Sequence, residues 1–266
     1  MNLDDTPRPC CLTIAGSDSG GNAGIQADLR AFHAYGVHGC TVFTALTAQN
    51  PHGVSAVLPV PSDFVAAQLD AVIGTYAINA IKTGMMPGAA TVRTVAERIA
   101  PLDGVAKVVD PVMVATSGAR LADDGCVAAM KAELLPLATL VTPNIPEASV
   151  LAGVRIECRA DAEEAARRIH GAFGCAVLVK GGHAVGDIGP AEDALFDGRE
   201  FRRLSLPPVE RPVSTHGTGC TLSAAIAAAL ATGRSLADAV AYAKAYVRCA
   251  IADSYLVGPS CGVLGF

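Results

Sequence analysis

The chain has 266 residues, 51% of them hydrophobic and 17% charged, with a formal net charge of -5. That length and composition suit one folded domain, and an acidic balance without a basic cluster argues against nucleic acid or an anionic membrane as principal partner. Nine scattered cysteines with no C-x-x-C pair, and an N-terminus without the apolar core of a signal peptide, predict a reduced, cytoplasmic protein. No apolar run approaches the roughly 18 residues of a membrane span.

Residues 10–16 read as a short buried strand ending in glycine, 17–22 as a turn-rich loop, and 23–35 as a helix with Ile25, Leu29 and Phe32 at helical spacing. A second strand over 37–46 leaves through the polar run 47–50, which Pro51 breaks, and 54–60 is a further strand or edge segment. Ser62 or Asp63 is expected to cap a helix running to Val72. A strand at 78–82, a helix at 89–99 and a strand at 105–113 follow, the last carrying Asp110 at its carboxyl end. After a helix near 123–135, a strand from 138 ends in polar residues up to Glu147, and a helix near 160–172 leads to a strand from 176. Residues 194–204 read as a hairpin turning at Asp197 and Gly198. A glycine turn then feeds an apolar helix from about 220, and the last helix covers 235–254.

Short apolar runs alternating with helices predict an α/β fold with a mostly parallel central sheet and helices on both faces, as a single domain over 1–266. In such sheets ligands lie beyond the carboxyl ends of the strands. The polar clusters at 17–22, 47–50, 82–86, 110–112, 143–147 and 180–183 all fall on that rim.

The stretch 213–224 carries the most chemistry. Gly217 and Gly219 permit positive φ and close approach of a ligand, and the helix that follows leaves free N–H groups and the positive end of its dipole at the turn. Thr215, His216, Thr218, Cys220 and Thr221 place five polar or ionisable side chains within seven positions, more than a helix cap needs. This is an anion pocket by composition, although a short glycine turn taken alone is also ordinary punctuation.

The segments AGSDSGGNAGIQADL (15–29), TALTAQN (44–50), IKTGM (81–85), VVDPVM (108–113), TPNIPEA (142–148), VLVKGGH (177–183) and STHGTGCTLSAA (214–225) occur in this order. Together they closely resemble the hydroxymethylpyrimidine and phosphomethylpyrimidine kinases of thiamine biosynthesis, in the ribokinase-like superfamily. The resemblance runs from about 11 to about 250; Asn22 stands where family members have glycine, and the C-terminal stretch 258–266 matches only loosely.

The resemblance implies a ribokinase-like fold, usually dimeric, and two successive ATP-dependent phosphorylations. The first is on the hydroxymethyl group of 4-amino-5-hydroxymethyl-2-methylpyrimidine and the second on the resulting monophosphate, with magnesium as counter-ion. It implies that the backbone of Gly217, Thr218, Gly219 and Cys220 forms the anion hole, with Lys180 neutralising phosphate oxygens. Asp110, Asn144, Glu147, Lys180, Thr215 and Thr218 would contact the nucleotide, with Asp110 and Glu147 holding magnesium partly through water. Gln49 would read the aminopyrimidine, with Gly16, Asp28, Thr47, Met85 and Val112 lining its pocket.

Cys220 stands where most sugar kinases of the superfamily have a catalytic aspartate. At a helix start beside magnesium-bound phosphates its pKa is expected to fall from about 8.5, making it a usable base. Plainer readings stand beside these. Lys180 is also readable as a solvated strand-end lysine, Met85 and Val112 as core, and Asn144 with Glu147 as a capping box. His183 and His216 are readable as nucleotide neighbours or as structural hydrogen-bonding residues. At the level of function, the rivals are a pyridoxal or pyridoxine kinase on the same scaffold, and a nucleotide-binding regulatory domain without turnover.

Overall fold

Alternate residues of the first strand, β1 (Cys10–Asp18), are buried on opposite sides: Cys10, Leu12 and Ile14 belong to one apolar core and Cys11 to another. The same division holds along β4 (Ile78–Thr83), β5 (Ala106–Val109), β6 (Leu140–Val141) and β7 (Ala176–Val179). A strand buried on both faces reads as a continuous apolar run, as a helix-covered parallel sheet requires.

The computed structural model describes residues 7–114, 121–182 and 185–266. Among these, nine strands form one sheet, completed by β2 (His38–Asn50), β3 (Gly53–Pro59), β8 (Glu192–Phe196) and β9 (Phe201–Ser205), in the order β3-β2-β1-β4-β5-β6-β7-β8-β9. The central pairings from β2 through β7 are parallel; β2 with β3, β7 with β8 and β8 with β9 are antiparallel. One face is covered by α1 (Gly24–Ala34), α7 (Thr218–Ala231) and α8 (Leu236–Ala252). The other is covered by α2 (Ser62–Ile73), α3 (Ala89–Ile99), α4 (Asp124–Ala129), α5 (Ile145–Ala152) and α6 (Arg159–Phe173). The mostly parallel α/β expectation therefore holds.

Several local expectations change. The helix expected over 123–135 is α4 continued by a π turn, Met130–Leu134, and a 3-10 turn, Leu135–Leu137, where Pro136 removes an N–H and crowds the preceding turn. Neither Ser62 nor Asp63 caps α2: Pro61 occupies the cap position, and the Asp63 carboxylate instead accepts from the neighbouring Phe64 N–H. The second strand does not stop at 46 but runs to Asn50 and turns directly into β3, so its polar exit is part of a hairpin. Helix α5 and a C-terminal hairpin of β10 (Tyr255–Val257) and β11 (Cys261–Val263) are additions to the sequence reading.

Helix α7 is buried on every side from Thr221 to Ala229, and alanine supplies most of that surface. An all-round apolar helix of small side chains fits between the sheet and α1 and α8 only because its backbone approaches both. Overpacking such a site costs about 1–3 kcal/mol. Ala228→Leu should lose stability in that range in a denaturant titration; an unchanged midpoint would show that α7 is not enclosed.

Candidate active site

The site grows from the loop after β1. Asp18 Oδ1 accepts from Gly20 N–H at 2.8 Å, and Oδ2 accepts from Asn22 and Ala23 N–H at 3.0 and 2.8 Å. Burial opposes the charge, yet the His216 ring, 3.7 Å away, and these amides hold the Asp18 carboxyl below the usual carboxylate range. One carboxylate thus shapes the loop and ties it to the turn before α7. That turn needs glycine: Gly217 has φ 87°, and a Cβ there would run into Asn22 O.

Beyond Gly217 the chain enters α7 at Thr218. The first helical bond of α7 is Thr221 N–H to Gly217 O, 2.9 Å. Among the described residues no protein acceptor takes the N–H groups of Gly217, Thr218, Gly219 or Cys220. Gly219 opens toward the cleft, since a Cβ on it would stand 3.5 Å from Lys180 Nζ. Thr215 is exposed, the Thr218 hydroxyl turns back to donate to Thr215 O at 3.1 Å, and neither is among the residues lining the cleft.

At the ends of β5, β6 and β7 lies a charged group. Lys180 Nζ donates to Asp110 Oδ1 at 2.8 Å; the Thr142 hydroxyl reaches the same oxygen at 3.2 Å, and that of Ser223 reaches Oδ2 at 3.4 Å. Burial would lower the Lys180 ammonium, but Asp110 and Glu147 hold it above its ordinary value. Asn144 and Glu147 form a reciprocal capping box at α5, and Met113 N–H donates to Glu147 Oε1 at 3.4 Å. The capping role and a place on the cleft wall coexist. Lys180 is held in turn by its successor: Gly181 N–H donates to Asp193 Oδ1 at 3.0 Å, and Lys244 of α8 binds Asp193 Oδ2 at 2.6 Å and Ala191 O at 2.7 Å.

On the opposite wall, Gln49 sits beside a register shift of the β2–β3 hairpin. The Ser19 hydroxyl donates to its carbonyl and accepts from its N–H, both at 2.8 Å. The Thr47 hydroxyl, 2.7 Å from Ser17 O, also reaches Gln49 Oε1 at 3.1 Å, leaving the Gln49 amide N–H groups for another partner. Met85 faces Gly16, which leaves room for its sulfur. Gly16, Thr47, Gln49, Met85 and Val112 share one cleft of about 150 Å³ with Asp110, Asn144, Glu147, Lys180, Gly217, Gly219 and Cys220. His216 also lines it, whereas His183 lies outside the described residues.

One expectation is corrected. Asp28 does not line the cleft; it is fully buried in α1, accepting from Thr13 Oγ1 at 2.6 Å and pairing with Lys82 Nζ at 2.8 Å. It is Lys82, which the sequence reading left among the motif residues, that reaches the wall. In the chain alone, burial pushes the Cys220 thiol up; Lys82 partly offsets this, while Asp28 and Asp110 add to it. A larger open groove of about 540 Å³ along α5 has Arg155 as its one charged side chain and none of this chemistry.

A family model described as phosphomethylpyrimidine kinase matches residues 18–264. The chain belongs to the phosphomethylpyrimidine kinase family. A hydroxymethylpyrimidine/phosphomethylpyrimidine kinase of Synechococcus elongatus is 47% identical, with 97% of each chain covered. A thiamine biosynthesis bifunctional protein of Geobacter sulfurreducens is 49% identical over 92% of this chain; the chain spans about half of that protein's length, 49%. Among solved structures, a pyridoxal kinase of Staphylococcus aureus in complex with ADP superposes with a TM-score of 0.88 at 34% identity, covering 98% of this chain and 94% of that one. The phosphomethylpyrimidine kinase family thus accounts for the fold and for the order of motifs around the cleft.

Burial raises the Glu147 carboxyl from its ordinary 4.5 to about 6, with Lys180 working against the shift and Asp110 for it. Between those values the folded chain holds a proton that the unfolded chain has lost, so this group's contribution to stability falls as pH rises through the window. Melting curves in metal-free buffer should show that decline in the wild type and a flatter profile in Glu147→Gln; identical profiles would contradict the assignment.

Proposed function

We propose that this chain transfers the γ-phosphoryl group of ATP to the hydroxymethyl oxygen of 4-amino-5-hydroxymethyl-2-methylpyrimidine, and then a second one to the resulting monophosphate. The observation that carries the reading is the uncommitted amide cradle at 217–220 facing the same cleft as Gln49. Preorganised N–H donors at a helix start suit the charge that develops on a migrating phosphoryl group. The Gln49 carboxamide offers both a donor and an acceptor to an aminopyrimidine edge.

In the first transfer the substrate oxygen forms a bond to the γ-phosphorus as the bond to the ADP oxygen breaks, and the hydroxyl proton must leave. Cys220, third residue of α7 and on the cleft wall, is the group we assign to accept it. In the second transfer the acceptor is already largely dianionic, because a phosphate monoester has its second pKa near ~6. A base is needed once, for the alcohol. Asp110 and Glu147 supply hard oxygen donors, and no group of three His, Cys, Asp or Glu converges among the described residues, so magnesium there would complete its shell with water and nucleotide phosphates. When bound, the ion neutralises phosphate charge.

The relatives named as pyrimidine kinases support this acceptor over pyridoxal, which rests on the fold likeness to the Staphylococcus aureus kinase. The clustered Lys180, Asp110, Glu147 and Cys220 speak for turnover rather than a regulatory role. Nine free cysteines support a reducing, cytoplasmic setting, and no described helix is long and apolar enough to cross a membrane. A homodimer has support in Leu46 and its exposed cross-strand neighbour Leu58, with Val57 also on the edge strand β3 and Phe64 on α2.

Cys220→Ala should slow transfer to the alcohol by about 10²-fold or more while sparing transfer to the monophosphate. Because the thiol is raised, the wild-type alcohol rate should climb with pH between about 7 and 9 relative to the monophosphate rate; equal losses in both transfers would remove Cys220 as the base. Gln49→Ala should raise the KM for the pyrimidine about tenfold and leave that for ATP within about twofold, by steady-state kinetics. A change confined to ATP would show that Gln49 does not read the acceptor.

A further inference from the structure

Lys82 is the largest piece of chemistry at this rim that the reading above does not use. It sits near the end of β4 and is fully buried, a state that lysine adopts only with a partner. Its partner is Asp28 Oδ2, at 2.8 Å, and among the described residues that is its one hydrogen bond. An ammonium group has three donors, so two remain. Lys82 lines the same cavity as Gln49, Met85 and Cys220, and Asp28 does not. Room for the ammonium is kept by Gly84, where a Cβ would stand 2.8 Å from Nζ.

The counter-ion is arranged to keep Lys82 in place without competing for what enters the cleft. Asp28 Oδ2 takes both the ammonium and the Thr13 hydroxyl, and Oδ1 is buried with no hydrogen-bond partner among the described residues. A buried ion pair is a poor device for stability, since removing both charges in favour of apolar side chains is often neutral or favourable. Its presence under a polar cleft calls for a use of the charge.

The other cation, Lys180, follows β7, three strands along the sheet from β4, whereas β4 lies next to β1. It is bound to Asp110 and reaches toward Gly219, the floor of the amide cradle. Lys180 therefore belongs with the incoming nucleotide phosphates, and Lys82 with the acceptor. Resting on the pyrimidine kinase reading, we propose that Lys82 is the acceptor-side cation, binding the attacking oxygen: the hydroxyl in the first transfer and a phosphomonoester oxygen in the second. The second transfer brings a dianion against a γ-phosphate, and such a pair approaches only with positive charge on each side. A neutral alcohol makes a far smaller demand. The two transfers should thus depend unequally on Lys82.

The test compares initial rates with the alcohol and with the monophosphate, at saturating ATP, for the wild type, Lys82→Met and Asp28→Asn. Lys82→Met should lower kcat/KM for the monophosphate at least about tenfold more than for the alcohol, with the KM for ATP within about twofold. Asp28→Asn, which removes the carboxylate that keeps the buried ammonium charged, should lower the monophosphate-to-alcohol ratio in the same direction. Equal losses with both acceptors, or a rise in the KM for ATP, would overturn the proposal. Should circular dichroism show that Lys82→Met does not fold, a crystal of the wild-type protein with the monophosphate decides: a phosphate oxygen within hydrogen-bond distance of Nζ supports it, and one beyond about 4 Å overturns it. A wild type that phosphorylates neither pyrimidine would overturn the acceptor assignment itself; with wild-type transfer intact, the ratio alone judges Lys82.

Discussion

Everything at the rim depends on one main-chain contact that only glycine allows. Gly217 lies against Asn22 O, so the loop after the first strand and the turn before α7, nearly two hundred residues apart, pack backbone to backbone. Asp18 fixes one partner by accepting from three of its amides, and His216 leans on the same carboxylate from the other. With both loops seated, the free N–H groups of α7 face the hairpin that presents Gln49. A side chain at 217 would separate donor and acceptor halves of the cleft.

The charges are distributed so that neither half stands alone. Asp110 and Glu147 sit near each other, and the burial that raises Glu147 is tempered by Lys180. Lys82 and Asp28 form a second, fully enclosed pair near the end of β4. Two cations and several carboxylates taken from water by a large apolar fold are costly to keep, and their common address on one cleft is what sets them apart from the surface pairs of α6 and β9.

The architecture was legible because each buried strand carries its apolar run and each polar exit marks its carboxyl end; the two cores on either side of the sheet follow from that pattern. The cradle at 217–220 was legible for a similar local reason, a glycine turn feeding a breaker-free helix. Asp28 was misplaced because its position on α1 says nothing of depth: it faces inward with Ile25 and Phe32, not toward the rim. Lys82 carries no such signal, because a lysine near a strand end looks solvated until its carboxylate partner, 54 positions away, is brought beside it. The Cys220 expectation weighs helix dipole and phosphate charge, and enclosure within the chain works the other way. Helix α5 escaped the reading although its capping box was visible, because Pro146 looks like a breaker when it is a tolerated first-turn residue.

Lys244, on the last helix, grips the carboxylate that holds Gly181 in place. A Cβ at 181 would run into Glu192 O, so the joint between them has no slack. The aim of Lys180 is consequently hostage to how α8 rests on the sheet, far from any ligand. A sideways slip of that helix would misdirect a charge it never touches, which makes the outer layer of the molecule a tuning surface for the chemistry at its rim.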